Sequence, residues 1–486
     1  MNVFDYLFED SAFYDKNFVL GPGEQVSYRK LFNNSKDIAI ELFQQLGDNN
    51  TIFLISENSV FFIQSYLSIL KSGNICIPIN PGLEKDNLKK IIELAETKKA
   101  FISPRNLRKF EEFSFTILND SLINSTTSKV SSFPEIDRAN FDENRTAEII
   151  FTSGSTGEQK GVMISHKNII ANTKSIIEYL RLSSNDIMQV VLPFHYCYGL
   201  SLLHTHLRVG GSVVLNNSFI FLGTIINDLK KYKCTGFAGV PSHFQILLRK
   251  SKDFKNTNFP DLRYVTQAGG KLHTSFIEEF ISAFPDIDFF VMYGQTEATA
   301  RLSYLPPHEL EKRIGSIGKG IPNVILQVVD KKGNKVTEGE TGEIIAKGDN
   351  IMEGYFKDKK ATGEVLKKDW LHTGDLATID RDGFIYIESR EKEIMKVRGI
   401  RISPKEIEEV IVGFPKVIDC TIQAISDDIT GEAIKAIVYV NDVDLDKMDK
   451  YEIQQFCAKY LSQHKIPQKI EFNTELTFNT SGKKVK

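Results

Sequence analysis

The stretch Ile149-Ile-Phe-Thr-Ser-Gly-Ser-Thr-Gly-Glu-Gln-Lys-Gly161 decides how the rest of the chain is interpreted. Its beginning, within residues 147–151, is largely apolar and rich in β-branched residues, which predicts a buried strand. Small or hydroxylated residues follow at 152–157. Gly154 and Gly157 allow backbone angles and close approaches that a Cβ would block. The pattern therefore predicts a strand that opens into a glycine-rich loop.

Such a loop can bind an anion. Its backbone N–H groups can form a concave nest, to which hydroxyl groups and Lys160 would add donors and a positive charge. It is not a Walker A loop, because that motif needs Gly-Lys-Ser/Thr opening a helix, and here Gly157 is followed by Glu158 and Gln159. A lone glycine-rich stretch is usually a flexible turn, and nothing within this one excludes that, so the choice depends on the remaining motifs.

Length and composition place the chain among ordinary soluble proteins. Its 486 residues predict two or three domains, and 41% hydrophobic and 25% charged residues are typical of globular proteins. A net charge of −3 and a pI of about 6.4 favour neither a nucleic-acid nor a membrane-surface partner. No apolar run reaches transmembrane length, and the first ten residues lack a signal-peptide pattern. We therefore expect no membrane association.

The cysteine pattern bears on the compartment. The five cysteines are odd in number, scattered and without CxxC spacing. A disulfide framework would normally show an even set at regular spacing. The pattern predicts reduced thiols and a cytoplasmic protein.

Alternating helical and strand patterns run through most of the chain and predict a mostly parallel, layered α/β domain. We expect residues 104–145 to be an irregular, polar connection, and residues 190–199 to be a strand that ends in an aromatic-rich turn. The remaining predicted helices are 28–46, 60–71, 85–96, 166–179, 222–231 and 274–283, and the strands are 51–55, 74–79, 100–102, 235–240 and 288–292.

The last third of the chain has a different pattern. Short strands separated by turns, such as Asp330-Lys-Lys-Gly333, predict an antiparallel or barrel-like part over residues 315–386. A charged break near residue 389 divides a domain of residues 1–389 from one of residues 390–486. In the small domain, Ser403-Pro-Lys-Glu406 predicts a capping box that opens a helix. Helices 404–412 and 451–462 and strands 417–425, 433–440 and 469–473 complete a predicted small α+β unit.

Five motifs in order resemble one family. The loop Thr152–Gly161 resembles the phosphate loop of the AMP-forming adenylating enzymes, which include acyl-CoA synthetases, nonribosomal peptide adenylation domains and luciferase. Tyr293-Gly-Gln-Thr-Glu297, Leu371-His-Thr-Gly-Asp375, Arg390-Glu-Lys-Glu-Ile-Met-Lys-Val-Arg-Gly399 and Asn479-Thr-Ser-Gly-Lys483 resemble its YGxTE, TGD, hinge and C-terminal lysine motifs. Each motif alone is weak, but together they span almost the whole chain in the family's order.

The resemblance implies that ATP and a carboxylic acid react to an acyl-adenylate with release of pyrophosphate, after which the acyl group passes to a thiol. It implies ATP and Mg²⁺ as cofactors and a large N-terminal domain with a small mobile C-terminal domain. The residues implied to hold the β- and γ-phosphates are Thr152, Ser153, Gly154, Ser155, Thr156, Gly157 and Lys160, while Thr296 would contact the α-phosphate and Glu297 would bind Mg²⁺. The adenine would be enclosed by Gly269, Gly270 and Tyr293, and the ribose would be bound by Asp375 and Arg390, with Arg401 in the same nucleotide site. Lys483 would bridge the carboxylate and the α-phosphate.

The implied acid pocket is less specific. Amino-acid-activating relatives carry an Asp in the segment equivalent to Pro193-Phe-His-Tyr-Cys197, where this chain has His195, as acyl- and aryl-activating members do. An α-amino acid is therefore the less favoured substrate. Further pocket walls would be Cys197, Gly199, Val240, Phe244 and Ala268, which could equally be ordinary core. The pair His204 and His206 lacks an evident third metal ligand, which favours packing.

The resemblance also implies two conformations. Lys392 occupies the hinge position. Rotation of the small domain about it would move Lys483 out of the active site and bring Lys396 and Gly399 to the thiol tunnel. The thiol would belong to CoA, or to the phosphopantetheine of a carrier protein. The chain has no carrier domain of its own, which fits a stand-alone ligase. A catalytically silent nucleotide-binding protein of the same fold is the other alternative, and the intact set of Lys160, Glu297, Asp375, Arg390 and Lys483 argues against it.

Overall fold

The computed structural model describes residues 1–21, 23–119, 141–153, 159–219, 221–390, 395–397, 400–427 and 431–476, without the side chains of residues 153, 396–397, 400–401, 426–427 and 431–432. Several sequence predictions lie outside this part of the chain: Gly154, Ser155, Thr156, Gly157, Lys392, Gly399 and Lys483. The side chains of Ser153, Lys396 and Arg401 also lie outside it.

Helices make up most of the layers that cover the sheets. The α-helices are Val3–Leu7, Tyr28–Leu46, Val60–Lys71, Lys85–Ala95, His166–Leu180, Cys197–Arg208, Leu222–Lys231, Pro241–Arg249, Thr274–Ala283, Lys359–Val365, Pro404–Val412 and Lys450–Tyr460. Shorter 3₁₀ segments are Pro104–Phe113, Phe254–Asn256, Thr296–Ala298, Pro307–Glu309, Glu311–Arg313, Asp442–Lys447 and Gln463–Lys465. None of the helices described is both long enough and apolar enough to cross a membrane.

Two large sheets dominate the N-terminal part. The first has seven strands in the order β18-β8-β7-β4-β3-β5-β6, and the second has nine in the order β15-β14-β13-β12-β11-β9-β10-β1-β2. The strands are β1 Asn17–Val19, β2 Val26–Ser27, β3 Thr51–Ile55, β4 Ile75–Ile79, β5 Lys99–Ile102, β6 Thr116–Ile117, β7 Thr146–Ser153, β8 Gln159–Ser165, β9 Ile187–Val190, β10 Ser212–Leu215, β11 Gly236–Gly239, β12 Tyr264–Gln267, β13 Asp288–Tyr293, β14 Ser303–Leu305, β15 Lys319–Gly320 and β18 Gly354–Tyr355. Both are parallel at their centres and antiparallel at an edge, as the alternating pattern predicted.

Alternate residues of the central strands enter different cores. In β3, Ile52 and Leu54 face the helices between the two sheets, whereas Phe53 and Ile55 face the outer helix Lys85–Ala95. Because both faces are buried, such strands are continuously apolar instead of alternating. A third core covers the outer face of the nine-stranded sheet and includes residues of the C-terminal unit. The N-terminal part is therefore a layered arrangement of helices and two sheets.

The C-terminal third contains the predicted antiparallel part and the small α+β unit. A five-stranded antiparallel sheet is built from β16 Ile325–Val329, β17 Gly342–Lys347, β19 Leu366–Lys367, β20 Trp370–Ile379 and β21 Ile385–Arg390. The hairpin β22 Met395–Val397 and β23 Ile400–Ile402 follows it. The last sheet contains β24 Val417–Asp427, β25 Gly431–Val440 and β26 Lys469–Asn473.

Two predicted loops are partly helical. Residues 104–113 form a 3₁₀ segment that buries Phe110 and Phe113 under the seven-stranded sheet, so this part of the predicted connection is not irregular. The predicted strand over 190–199 ends at Val190, and Cys197 begins a helix. That helix is buried on all sides, so it lacks the amphipathic period by which a surface helix is recognised.

The predicted capping box is wrong, although its helix is present. Pro404 is the first residue of the helix Pro404–Val412, as expected, but the Ser403 side chain caps no helical N–H. Its hydroxyl donates instead to the carbonyl of Glu388, 3.1 Å away, and the Glu406 carboxylate pairs with Lys465. Proline at the first position already removes one unsatisfied donor, so the helix can begin without the serine cap.

Candidate active site

The predicted phosphate loop joins two paired strands. β7 and β8 are antiparallel neighbours, with Thr152 opposite Lys160, so the strand extends two residues further than the sequence predicted. Gly161 packs against the same hairpin: a Cβ there would lie 2.8 Å from Cγ2 of Ile149. The glycine is needed because no side chain fits in that space. The hairpin thus brings Lys160 to the base of the loop.

Lys160 and the predicted metal ligand meet through a residue that the sequence analysis missed. The Nζ of Lys160 lies 4.9 Å from the ring centroid of Tyr355, and the Tyr355 hydroxyl donates to Oε1 of Glu297 at 2.8 Å. Tyr355 belongs to β18, which pairs with β8. Gly354 and Tyr355 lie outside the five motifs, so only the strand pairing shows that Tyr355 is near Lys160. The three side chains form one connected group.

The predicted α-phosphate and acid-pocket residues are in contact. Thr296 opens a 3₁₀ turn at the end of β13, and its Oγ1 lies 3.5 Å from Sγ of Cys197. Cys197 is the first residue of the buried helix Cys197–Arg208. Both side chains are almost completely buried. The region between these elements therefore adjoins the predicted acid pocket on one side and the turn with Glu297 on the other.

A buried carboxylate lies at the other end of the site. Asp375 is 3% exposed, and it faces Arg390 across the β20–β21 ladder. Its Oδ2 accepts a hydrogen bond of 2.7 Å from the Tyr293 hydroxyl, and its Oδ1 accepts one of 3.0 Å from Nε of Arg390. Burial and the neighbouring Asp375 raise the pKa of Tyr293 well above its ordinary value, so the phenol remains a donor.

The sheet topology brings the remaining predicted residues together. Val240 follows β11, Ala268, Gly269 and Gly270 follow β12, and Tyr293 ends β13. These three strands are adjacent and parallel. Ligand sites in α/β sheets commonly lie at the carboxyl ends of the strands, where these residues are found. Gly269 has φ +85°, a conformation that favours glycine.

His195 lies on the turn between β9 and the buried helix. Phe194 and Leu192 in this turn are held by Asn58, whose side chain accepts from the Phe194 N–H at 2.7 Å and donates to the Leu192 carbonyl at 2.9 Å. Burial lowers the pKa of His195 to about 4, although the nearby Glu57 opposes the shift. The imidazole is therefore neutral at pH 7 and supplies no charge for an ammonium group.

Two predicted pocket walls have structural explanations. A Cβ on Gly199 would lie 2.1 Å from the carbonyl oxygen of Pro193, so glycine is required by the close approach of helix and turn. Phe244 does not share a core with Cys197: it packs on the outer face of the nine-stranded sheet against Phe237 and Phe289. Its assignment to the pocket stays a prediction, whereas Val240, the N-cap of the helix Pro241–Arg249, shares a core with Cys197.

The histidine pair belongs to the core. His204 Nε2 lies 2.8 Å from the hydroxyl of Tyr66, whereas His206 Nδ1 lies 2.9 Å from the Leu202 carbonyl. Residues two apart on a helix point in different directions, which prevents joint coordination. Within the described ranges, no group of three or more His, Cys, Asp or Glu side chains could hold a metal ion. All five cysteines are buried, and none of them forms a disulfide.

The donor atoms fit the implied cofactors. The half-buried Glu297 presents a carboxylate, the ligand type that Mg²⁺ prefers beside phosphate oxygens. Asp375 uses one lone pair on each oxygen for Tyr293 and Arg390, and a carboxylate has about four acceptor positions in all. It can therefore accept further hydrogen bonds from ribose hydroxyls.

The backbone of Lys396 lies opposite that of Arg401 in the β22–β23 hairpin, which follows the strand that ends at Arg390.

Comparison with protein families gives two matches along the chain. The model of the AMP-binding enzyme matches residues 8–356. The model of the AMP-binding enzyme C-terminal domain matches residues 406–483. Together they cover three of the five motifs, and the TGD motif and the hinge segment lie wholly between the two matched ranges.

Individual relatives agree with the family match. A 4-coumarate–CoA ligase-like protein of Arabidopsis thaliana is 29% identical over 86% of this chain and 77% of its own length. The ATP-bound structure of MatB from Rhodopseudomonas palustris is 25% identical, with a TM-score of 0.87 over 100% of this chain and 97% of its own. The o-succinylbenzoate CoA synthetase of Bacillus subtilis, solved with its acyl-adenylate, is 23% identical with a TM-score of 0.85 over 99% and 96% of the two chains. The last comparison bears on the fold alone.

Proposed function

The chain belongs to the AMP-binding enzyme family, and we propose that it is an acyl-CoA ligase that activates a carboxylic acid without an α-amino group. The reaction has two halves. A carboxylate oxygen of the acid attacks the α-phosphorus of ATP, and pyrophosphate leaves. The sulfur of a thiol then attacks the acyl carbon, and AMP leaves.

One contact carries the proposal, namely the 3.5 Å approach of Cys197 to Thr296. It joins the helix that would line the acid pocket to the turn that would touch the α-phosphate. Glu297 is the next residue along that turn, and Asp375 binds Tyr293 three residues before Thr296. An acid and a nucleotide bound to these elements would meet at Thr296, where the new acyl–phosphate bond forms.

The first half-reaction brings two anions together, so it needs positive charge and alignment. Lys160, supported on the Tyr355 ring, would bind the outer phosphates. Bound to Glu297, Mg²⁺ would neutralise phosphate charge. Asp375 and Arg390 would position the ribose, and Thr296 would donate to the α-phosphate. Lys483, by resemblance, would bridge the carboxylate and the α-phosphate. Each role remains a proposal for these residues.

His195 supports the choice of acid. Burial holds the pKa of His195 near 4, and a neutral imidazole has no negative charge to form an ion pair with the ammonium group of an α-amino acid. Burial of an unpaired ammonium group is costly, so amino acids would bind more weakly than acids of the same shape. The pocket therefore favours acyl or aryl acids.

Pyrophosphate exchange tests this function directly. We expect the purified protein to exchange labelled pyrophosphate into ATP when supplied with Mg²⁺ and one of a panel of acyl, aryl and α-amino acids. Acids lacking the α-amino group should give the higher kcat/KM. If no acid supports exchange, the chain is catalytically silent, and if an α-amino acid is the best substrate, the proposed pocket is wrong.

CoA is the acceptor that the relatives favour, since the Arabidopsis relative is named as a CoA ligase-like protein. A carrier-protein phosphopantetheine offers the same thiol chemistry. With the best acid in hand, thioester formation with free CoA should exceed that with phosphopantetheinylated carrier proteins. The opposite order would identify a carrier-protein ligase.

The second half-reaction would follow a rotation of the small domain about Lys392, which brings Lys396 and Gly399 to the thiol. Lys483→Ala should then lose ~10²–10³ in adenylate formation but still convert supplied acyl-adenylate to thioester. Gly399→Leu and Lys392→Pro should spare adenylate formation and slow the thioester step. Equal slowing of both steps in all three variants would exclude a two-conformation mechanism.

A further inference from the structure

A buried arginine lies behind the predicted acid pocket. Arg301 is 3% exposed, and its Cζ lies 3.8 Å from the ring centroid of Tyr198. Tyr198 follows Cys197, the residue that touches Thr296. The guanidinium group is therefore held one residue away from the pocket wall on the buried helix.

The position of Arg301 is determined by a tight reversal of the backbone. After the turn at Thr296, the Ala300 N–H donates to the carbonyl of Ala298 at 2.7 Å. The returning chain approaches Gly294 so closely that a Cβ there would lie 2.9 Å from Cα of Arg301. The carbonyl of Arg301 accepts hydrogen bonds from Asn172 and Asn350 at 3.2 and 2.8 Å. The backbone is thus anchored on both sides.

The charge of this arginine is not matched by a carboxylate. No described Asp or Glu forms an ion pair with Arg301, and its Nε has no hydrogen-bond acceptor among the described residues. One terminal nitrogen makes a long contact of 3.4 Å with the Ala300 carbonyl, and the guanidinium also interacts with the neutral hydroxyl of Tyr179. A buried charge without an anionic partner is unfavourable.

The neighbouring phenols do not supply the missing charge. Tyr198 donates to the carbonyl of Thr266 at 2.9 Å, and burial raises its pKa to about 12 against the opposing effect of Arg301. Tyr179 donates to Sδ of Met292 at 3.0 Å, and burial raises its pKa against the opposing charge of Arg301 and a hydrogen bond with the Arg301 side chain. Both rings are therefore neutral at pH 7, and the contact of Arg301 with Tyr198 is a cation–π interaction.

We propose that Arg301 is a specificity-determining residue that binds a second carboxylate at the far end of the acid substrate, which makes a dicarboxylic acid the preferred substrate class. The proposal rests on the proposed function. The core that contains Tyr198 also contains the small residues Cys197, Ala268 and Ala300, all at most 5% exposed. A bound carboxylate would satisfy the Nε–H of Arg301, because guanidinium groups present parallel donors to carboxylates.

Matched pairs of acids provide the test. For butanoate and succinate, hexanoate and adipate, and octanoate and suberate, pyrophosphate exchange gives a kcat/KM ratio of diacid to monoacid. We expect a ratio above one for at least one length. Arg301→Met should lower that ratio about 10- to 100-fold, the usual effect of losing a hydrogen bond to a charged group. The loss should appear in the KM of the diacid, with the monoacid unaffected or improved. Arg301→Lys should retain part of the preference.

Arg208→Met is the matched control. Arg208 also stacks on a tyrosine, with Cζ 4.8 Å from the Tyr6 ring centroid, but it pairs with Glu9 and Asp10 at the surface. The control should leave the ratio unchanged. A wild-type preference for the monoacid at every length, or an equal effect of Arg301→Met on both acids, would overturn the proposal and leave the proposed function intact.

A binding measurement distinguishes failure of the proposed arginine site from failure of the proposed function. Adipate, succinate or suberate should raise the Tm of the wild-type protein more than the matched monoacid does, and this difference should vanish in Arg301→Met. If no acid supports exchange but the diacid shift is present, the proposed function fails and the arginine site stands. The absence of any diacid-dependent shift together with the absence of exchange would overturn both.

Discussion

Two buried carboxylates in this molecule each accept a hydrogen bond from a tyrosine, yet their surroundings differ. Asp375 accepts from Tyr293 at 2.7 Å, and Glu148 accepts from Tyr66 at 2.8 Å. They are 3% and 1% exposed. Asp375 also binds the guanidinium of Arg390, whose side chain is 56% exposed. No described cation forms an ion pair with Glu148, whose network continues to His204 instead.

The difference separates the proposed ribose-binding carboxylate, Asp375, from a structural one, Glu148. Burial raises the pKa of Glu148 from its ordinary 4.5 to about 7, against the smaller effect of the Tyr66 hydroxyl. Glu148 is therefore protonated in about half of the molecules at pH 7. In the core it joins a strand to a helix through Tyr66. Asp375 lies beside a cation that reaches solvent, and its two oxygens retain acceptor positions for hydrogen bonds from a ligand.

The largest expected effect is the loss of the binding carboxylate. Asp375→Ala removes the acceptor of both Tyr293 and Arg390 and should lower kcat/KM for pyrophosphate exchange about 100- to 1,000-fold, through two charge-assisted hydrogen bonds. Glu148→Gln is the control, because it keeps an acceptor for Tyr66 and should change exchange less than about threefold. If Glu148→Gln is as damaging as Asp375→Ala, the distinction between the two carboxylates fails.

The second prediction concerns stability and pH. The folded-state pKa of Glu148 is raised, so its contribution to the free energy of unfolding is fully present below about pH 4.5 and is lost as the pH rises through about 7. Relative to Glu148→Gln, the wild-type protein should lose about 2–3 kcal/mol between pH 5 and pH 8. Urea unfolding of both proteins at several pH values measures the difference.

The buried histidines make stability rise with pH instead, and this contribution is common to the wild-type protein and the Glu148→Gln variant. Burial lowers the pKa of His166 and His204 to about 3, so their contribution is present above pH 6.5 and is lost as the pH falls. Both proteins contain them. Stability curves of wild type and Glu148→Gln that stay parallel from pH 5 to pH 8 would contradict the raised pKa of Glu148.

Most of the fold could be predicted from local patterns. The helices Tyr28–Leu46 and Val60–Lys71 have the predicted bounds, because an amphipathic or apolar period ends at Gly47 or just before Gly73. The helix Cys197–Arg208 could not, since it is buried on every side and carries no period. Its amino acids are explained only by the sheets and helices that surround it.

The candidate site was partly predictable for a similar reason. Lys160, Thr296, Glu297 and Asp375 were identified because short motifs with polar residues resemble a family. Tyr355 and Arg301 were missed, since a tyrosine or arginine outside a motif gives no local indication of its surroundings. Their importance follows from strand pairing and burial, which depend on residues distant in the chain.

The third prediction compares the effects of removing each tyrosine hydroxyl on stability and on catalysis. Tyr66→Phe leaves Glu148 and His204 without their shared partner and should lower the free energy of unfolding by about 1–3 kcal/mol, with little change in kcat at saturating substrate. Tyr293→Phe should instead raise the KM for ATP about five- to tenfold with a smaller change in stability. Urea unfolding and exchange kinetics on both variants check this, and equal loss of stability in the two would remove the contrast.

The smallest expected effect concerns a third tyrosine–carboxylate pair, intermediate between the other two. Tyr355 donates to Glu297 at 2.8 Å while its ring lies under Lys160, so Tyr355→Phe removes the hydroxyl and keeps the ring. Without that donor, Glu297 loses a positioning contact but no charge. We expect the Mg²⁺ concentration for half-maximal exchange to rise about two- to fivefold, as for the loss of one neutral hydrogen-bond donor.

Tyr451→Phe, at an exposed position, is the control. Tyr355→Leu should add a rise in the KM for ATP, because Lys160 then loses its ring, and identical Phe and Leu variants would exclude that role.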